Sequence, residues 1–232
     1  MAKIEDNLKW KRRLRNIALT FLATFIFIVV LFIAAGSMMW INGWVLVLIM
    51  LAGHVSGVVL VDPGLLEERI GIKSGLKRED ALFAIMMGRF GPLSTFIIAG
   101  LDFRFGWSAS FPAVLVVVGF ILFIIGFAIT LWAMKENKFF SSVVRIQRER
   151  GHYVVTNGPY RLVRHPGYLG SIIYMLGLPF ALASYWATIA AIATNITAVV
   201  RTFLEDRILR RELEGYTTYV DQVKYRLLPG VW

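Results

Sequence analysis

Long apolar runs separated by short polar ones dominate the chain. Residues 16–36, NIALTFLATFIFIVVLFIAAG, carry no charge and exceed the roughly 18 residues that mark a membrane-spanning helix. Residues 40–61 repeat the pattern with His54 as their only titratable group, and 81–101 form a third run interrupted by Arg89. The fourth, 111–134, is long and uncharged, and two more follow between 166 and 204, divided by Ser184, Tyr185 and Trp186. The pattern predicts an all-α, polytopic integral membrane bundle of about six crossings; the alternative is five crossings plus a re-entrant hairpin. The first run is too long for a cleaved signal peptide, and no small-residue cleavage site leads into a soluble domain.

The polar remainder is unevenly spread. The connections 36–43, 102–110 and 184–186 are short, whereas 62–80, 135–165 and 205–232 are sizeable. Residues 1–134 therefore read as N-terminal transmembrane helices. Residues 135–232 read as a cofactor-binding and catalytic region with a transmembrane hairpin. Within it, HYVV (152–155) is β-like, Asn157-Gly158-Pro159 is a turn, and the tail is a helix that breaks near Gly215.

Composition sharpens this picture. Charged residues make up 17% of the 232 positions against 57% hydrophobic, where a soluble domain carries nearer a quarter charged. The net charge of +10 would suggest nucleic acid in a soluble protein. Here lysine and arginine number six before residue 16, four in 62–80, seven in 135–165 and six from 201 onward. Alternate connections are basic, which predicts a multi-pass protein with cytoplasmic N- and C-termini and no nucleic-acid partner. No cysteine is present, so disulfides, thiolate metal sites and cysteine nucleophiles are excluded. His54, His152 and His165 are scattered without metal-ligand spacing, so no metal is expected. Trp10, Trp40, Trp44 and Trp107 read as interfacial anchors, Gly36, Gly43, Gly53 and Gly57 as helix-packing positions, and Arg89 as a buried partner for a loop carboxylate.

Three features stand out. His165 and Pro166 begin an apolar helix, where proline is tolerated and free N–H groups suit an anion. Arg201 and Glu205 lie four apart at the end of another, hence on one face, at a depth where ionisable pairs usually face a cavity or partner. Tyr160 and Tyr168 flank the histidine and offer ring faces and hydroxyls to a planar ligand.

The string G-P-Y-R-x-V-R-H-P-x-Y-x-G, followed by an apolar hairpin, R-x-x-x-E-D, G-Y-x-x-Y and L-P-G, resembles the isoprenylcysteine carboxyl methyltransferase family, whose plan the phospholipid methyltransferases share. The resemblance covers roughly 135–232; the first 130 residues match only as generic membrane helices. It implies S-adenosyl-L-methionine held by Gln147, by the segment His152, Tyr153, Val154 and Val155, by Tyr160, by His165, Pro166, Gly167 and Tyr168, and by Glu205. It further implies a substrate-facing Arg201, with Arg201 and Glu205 as the catalytic pair. The spacing from Gln147 to His152 is shorter than the family's, and its frequent Glu-Glu is here Glu205-Asp206. The implied partners are the bilayer and a lipophilic or prenylated acceptor, with no obligate protein partner. A membrane NADPH-dependent sterol or steroid reductase is the competing enzyme class, but those carry R-H-x-N-Y where this chain has Arg164-His165-Pro166-Gly167-Tyr168. A small transporter or scaffold would spread charge along several helices, whereas here it gathers at one edge.

Overall fold

A computed structural model describes residues 2–62, 64–65, 78–141, 143 and 145–232, so most of the predicted 62–80 connection lies outside the described residues. Helix α1 (Ala2–Ala35) turns into α2 (Ile41–Leu60). Helix α3 (Arg78–Ile85) continues through a π-helical turn, Met86–Phe90, into α4 (Gly91–Phe105). Then come α5 (Ala113–Glu136), α6 (Pro166–Ala181), α7 (Ala187–Glu212) and the short α8 (Tyr216–Gln222).

Among the described residues, five stretches are long and apolar enough to cross a bilayer: 14–35, 41–60, 82–105, 113–136 and 187–212. The sixth apolar run of the sequence is α6, which has 16 residues, a length of about 24 Å against a hydrocarbon core of about 30 Å. Pro179 precedes its end and Ala183 sits at φ 56°, so the chain reverses there rather than continuing. The α6–α7 turn nevertheless reaches the far end of the bundle: the Ser184 hydroxyl donates to buried Asp102, and the Tyr185 N–H donates to Ser108 Oγ. At that same end Trp40 stacks on Phe103 with centroids 4.7 Å apart. All three short turns therefore share one end, and the start of α6 meets the C-terminal tail at the other.

Packing is tightest between α5 and α6, where glycines face backbone. A Cβ on Gly126 would lie 2.3 Å from the Tyr174 nitrogen, and one on Gly119 2.2 Å from that of Ala181. On the partner helix, Gly170 and Gly177 meet Gly126 and Gly119 in the same way. Without lipid-excluding drive between apolar helices, such close backbone approach is what holds them. The central core gathers Leu31, Leu46, Phe96, Phe123, Met175 and Leu178. Outward-facing Ile33, Val59, Val114 and Ile189 remain exposed, as apolar side chains facing lipid would be.

Three expectations are corrected. Trp40 is buried in the core rather than anchored at an interface. Gly36 ends α1 in the left-handed region at φ 63°, a conformation glycine adopts freely, so its role is a turn. Arg89 is exposed, on the π turn. That turn has a local cause: Pro92 cannot supply the N–H that a regular ladder needs one turn along. The segment 152–155 has no regular secondary structure and, among the described residues, pairs into no strand.

Candidate active site

The start of α6 is built by an arginine–histidine pair that the C-terminal segment clamps. The Arg164 and His165 N–H groups donate to the carbonyls of Tyr225 and Arg226 at 2.9 and 3.0 Å. The Arg164 guanidinium donates through Nη1 to the Val223 and Lys224 carbonyls, both at 2.7 Å. Its Nε and Nη2 reach the Asp206 carboxylate at 2.8 and 3.3 Å. Asp206, 1% exposed, also accepts from Arg210 Nε and Arg226 Nε at 3.0 Å each and from the Tyr216 hydroxyl at 3.0 Å. His165 Nε2 lies 3.3 Å from the same carboxylate. One buried anion thus ties together α6, α7, α8 and the tail. Burial, and then the charge of Asp206, raises the Tyr216 phenol far above its usual range, so it stays a donor.

Beside this hub lies a cavity of about 480 Å³. At its polar end the Tyr168 hydroxyl donates to Glu205 Oε2 at 2.7 Å, and the buried Arg201 guanidinium lies 5.9 Å from the Tyr168 ring centroid. The wall also includes His152, Tyr153, Val154, Val155, Tyr160, His165 and Gly167. Gly167 is glycine for a steric reason: a Cβ would sit 2.2 Å from the Phe140 ring. The cavity extends along α2 and α5 to Gly53, Gly57, Phe127 and Leu131, a wall with little polarity.

Two residues expected at the site are not on this wall. Pro166 is buried as the first residue of α6. Gln147 is fully buried, and both ends of its amide are used within the 137–155 segment: Nε2 donates to the Phe139 carbonyl at 2.8 Å, and Oε1 accepts from Arg150 at 2.6 Å. Tyr160 presents its ring to the cavity while its hydroxyl meets Asn137 Nδ2 at 3.1 Å. Asn137, Phe139, Tyr216 and Tyr219 also line the cavity and escaped the sequence reading. The three-residue spacing of the last two puts them on one face of α8, a signal the G-Y-x-x-Y string already held.

His152 has a distinctive setting. Its ring stacks on Phe139 at 4.4 Å, and Nδ1 accepts the Gln147 N–H at 3.2 Å, which requires an unprotonated nitrogen. Burial first, then the charges of Arg145 and Arg150, lower its pKa to about 4. The unfolded chain, with an ordinary value of about 6.5, takes up this proton first. Stability contributed here is therefore complete above about pH 6.5 and is lost as pH falls toward 4. An NMR titration of ring-labelled histidine should give His152 a midpoint near 4; a midpoint at or above 6.5 would contradict this setting.

Residues 114–214 match the family model described as phospholipid methyltransferase. A probable protein-S-isoprenylcysteine O-methyltransferase of Oryza sativa is 37% identical over 92 residues, which is 39% of this chain and 46% of that protein. The protein-S-isoprenylcysteine O-methyltransferase of Schizosaccharomyces pombe is 32% identical over 79 residues, 34% of this chain and 31% of that protein. Isoprenylcysteine O-methyltransferase B of Arabidopsis thaliana is 30% identical over 102 residues, 44% of this chain and 46% of that protein. The matches span less than half the length of these relatives. Over residues 114–214, which hold nearly all of α5, α6 and α7 and most of the cavity's polar wall, the chain is similar to the phospholipid and isoprenylcysteine methyltransferases.

Proposed function

We propose that the chain is an integral membrane, S-adenosylmethionine-dependent methyltransferase acting on a lipid-like acceptor, most simply by methyl-esterifying a carboxylate. The observation that carries the reading is a single cavity with Glu205, Tyr168 and Arg201 at one end and an apolar wall at the other. Its volume falls within the range of small-molecule sites.

The residues present fit the methyl donor. The Glu205 carboxylate suits ribose hydroxyls or an ammonium, the first turn of α6 suits a carboxylate, and the 152–155 backbone suits the edge of an adenine. Bound there, adenosylmethionine supplies an electrophilic methyl group on a sulfonium. In an esterification an acceptor oxygen bonds to the methyl carbon as the sulfur–carbon bond breaks, and the bonding pair stays on sulfur. A carboxylate acceptor is already ionised at neutral pH, so no general base is required. Arg201 then holds the acceptor by a two-pronged contact, and the surrounding helices exclude water from it.

The acceptor's lipid portion would lie along the apolar wall, leaving the donor to arrive from the end where α6 meets the tail. That end is assigned to the cytoplasm, with both termini, because alternate connections in the sequence are basic.

Calorimetry on detergent-purified protein tests the reading. We expect heat with adenosylmethionine or its demethylated product at a dissociation constant of about 1 µM. No heat with either, together with heat from NADPH, would overturn it in favour of a reductase.

A further inference from the structure

Among the polar groups of the cavity that the chemistry above leaves unused is an imidazole within a helix. His54 stands on α2 within the bilayer-crossing stretch, yet it lines the same cavity as Arg201 and Glu205. Around it on that wall stand Gly53, Gly57, Val58, Phe127 and Leu131, together with Thr20 and Thr130, whose hydroxyls donate to the Asn16 and Gly126 carbonyls. A titratable side chain at that depth is costly to keep and is a functional-site candidate by default.

The hydrogen-bond arrangement orients it. The Thr24 hydroxyl has one hydrogen and donates it to the Thr20 carbonyl at 3.0 Å. Its oxygen lies 3.5 Å from His54 Nδ1, where it can only accept, so Nδ1 carries the ring hydrogen. The neutral imidazole then presents Nε2 as an acceptor. Phe21 and Phe127 flank the ring, with centroids 6.5 and 6.0 Å away, and hold it in place. Gly53 lets the Phe127 ring pack close beside it, since a Cβ there would lie 2.4 Å from that ring.

We infer that His54 is a specificity-determining residue for the acceptor lipid: its Nε2 accepts a hydrogen bond from an N–H or O–H donor carried on the acceptor in addition to the carboxylate that Arg201 holds. The inference rests on reading the cavity as the site of a lipid acceptor. A largely apolar wall with an imidazole acceptor rewards a lipid bearing a matching donor. It discriminates against the same lipid without it, which leaves that acceptor buried and unpaired.

A matched pair of probes tests this without any methyl donor. N-palmitoylglycine carries an amide N–H beside its carboxylate, and N-palmitoylsarcosine replaces that hydrogen with a methyl group. Binding to the full chain in nanodiscs should favour N-palmitoylglycine by about five- to tenfold, the worth of one hydrogen bond. His54→Leu should abolish the preference, and His54→Gln, which keeps an accepting oxygen, should retain part of it. If His54→Leu does not fold, His54→Phe, which likewise lacks the acceptor, replaces it in the comparison. Equal affinities, no measurable binding of either lipid, or a preference that survives removal of the imidazole acceptor would each overturn the inference. Failure of the methyltransferase reading would register separately, as absent heat with adenosylmethionine while the lipid preference stands.

Discussion

Asp206→Ala is expected to destabilise the protein by about 3–5 kcal/mol, the usual consequence of stripping one partner from a buried ion pair. The carboxylate is the shared acceptor for Arg164, Arg210, Arg226 and Tyr216. The Arg164 side chain is 1% exposed and cannot turn to solvent, whereas Arg210 at 40% can. The damage should therefore concentrate at the start of α6 and in the tail that Arg164 clamps through the Val223 and Lys224 carbonyls. Thermal melts followed by tryptophan fluorescence, with limited proteolysis of residues 223–232, would measure both effects. Arg226→Gln removes a more exposed partner, 22% accessible, and should cost roughly 1–2 kcal/mol after solvent screening. An Asp206→Ala variant that melts with the native protein and keeps its tail protected would refute the hub.

Asp206 also shows where reading from sequence stops. Glu205 and Asp206 are adjacent, carry the same charge and look interchangeable on paper. Successive helix residues point about 100° apart, so Glu205 turns to the cavity and Tyr168 while Asp206 turns inward to the arginines. Which does which depends on the register of α7 against α6, a property of the packed pair. The membrane helices themselves were legible, because a backbone in lipid must satisfy its own hydrogen bonds in long apolar runs. The reversal after α6 was legible too: Ser184, Tyr185 and Trp186 divide the apolar stretch, and the chain turns at Ala183 just before them. The seven-residue spacing of Gly119 with Gly126, and of Gly170 with Gly177, was visible on each helix alone. Its meaning lies in the two pairs meeting across the interface. At the site, His165, Tyr168, Arg201 and Glu205 stood out because polar groups are conspicuous beside apolar runs. Gln147 misled because a polar loop residue reads as available for a ligand, while here its amide organises the loop around Phe139 and Arg150.

The proposed division of labour on α7 gives the other large effect. Arg201 and Glu205 lie one turn apart and face one cavity, and each would meet a different ligand there. Glu205→Gln keeps the volume but removes the charge. It should weaken adenosylmethionine binding by roughly ten- to a hundredfold, the worth of a charge-assisted hydrogen bond of about 1.5–3 kcal/mol. Arg201→Lys keeps the charge but loses the planar fork that matches a carboxylate. Donor affinity should then hold while turnover falls about tenfold or more, the pattern of a contact made to the acceptor rather than the donor. Calorimetry with adenosylmethionine, initial rates of methyl transfer and a melting curve on each variant separate the outcomes. Equal loss of donor binding in both variants, accompanied by earlier melting, would make the pair a structural contact and remove Arg201 from the chemistry. The Tyr168 hydroxyl bonded to Glu205 supplies an internal control. Tyr168→Phe should weaken donor binding in the same direction as Glu205→Gln but by less, because it removes a hydrogen bond to the carboxylate and leaves its charge in place.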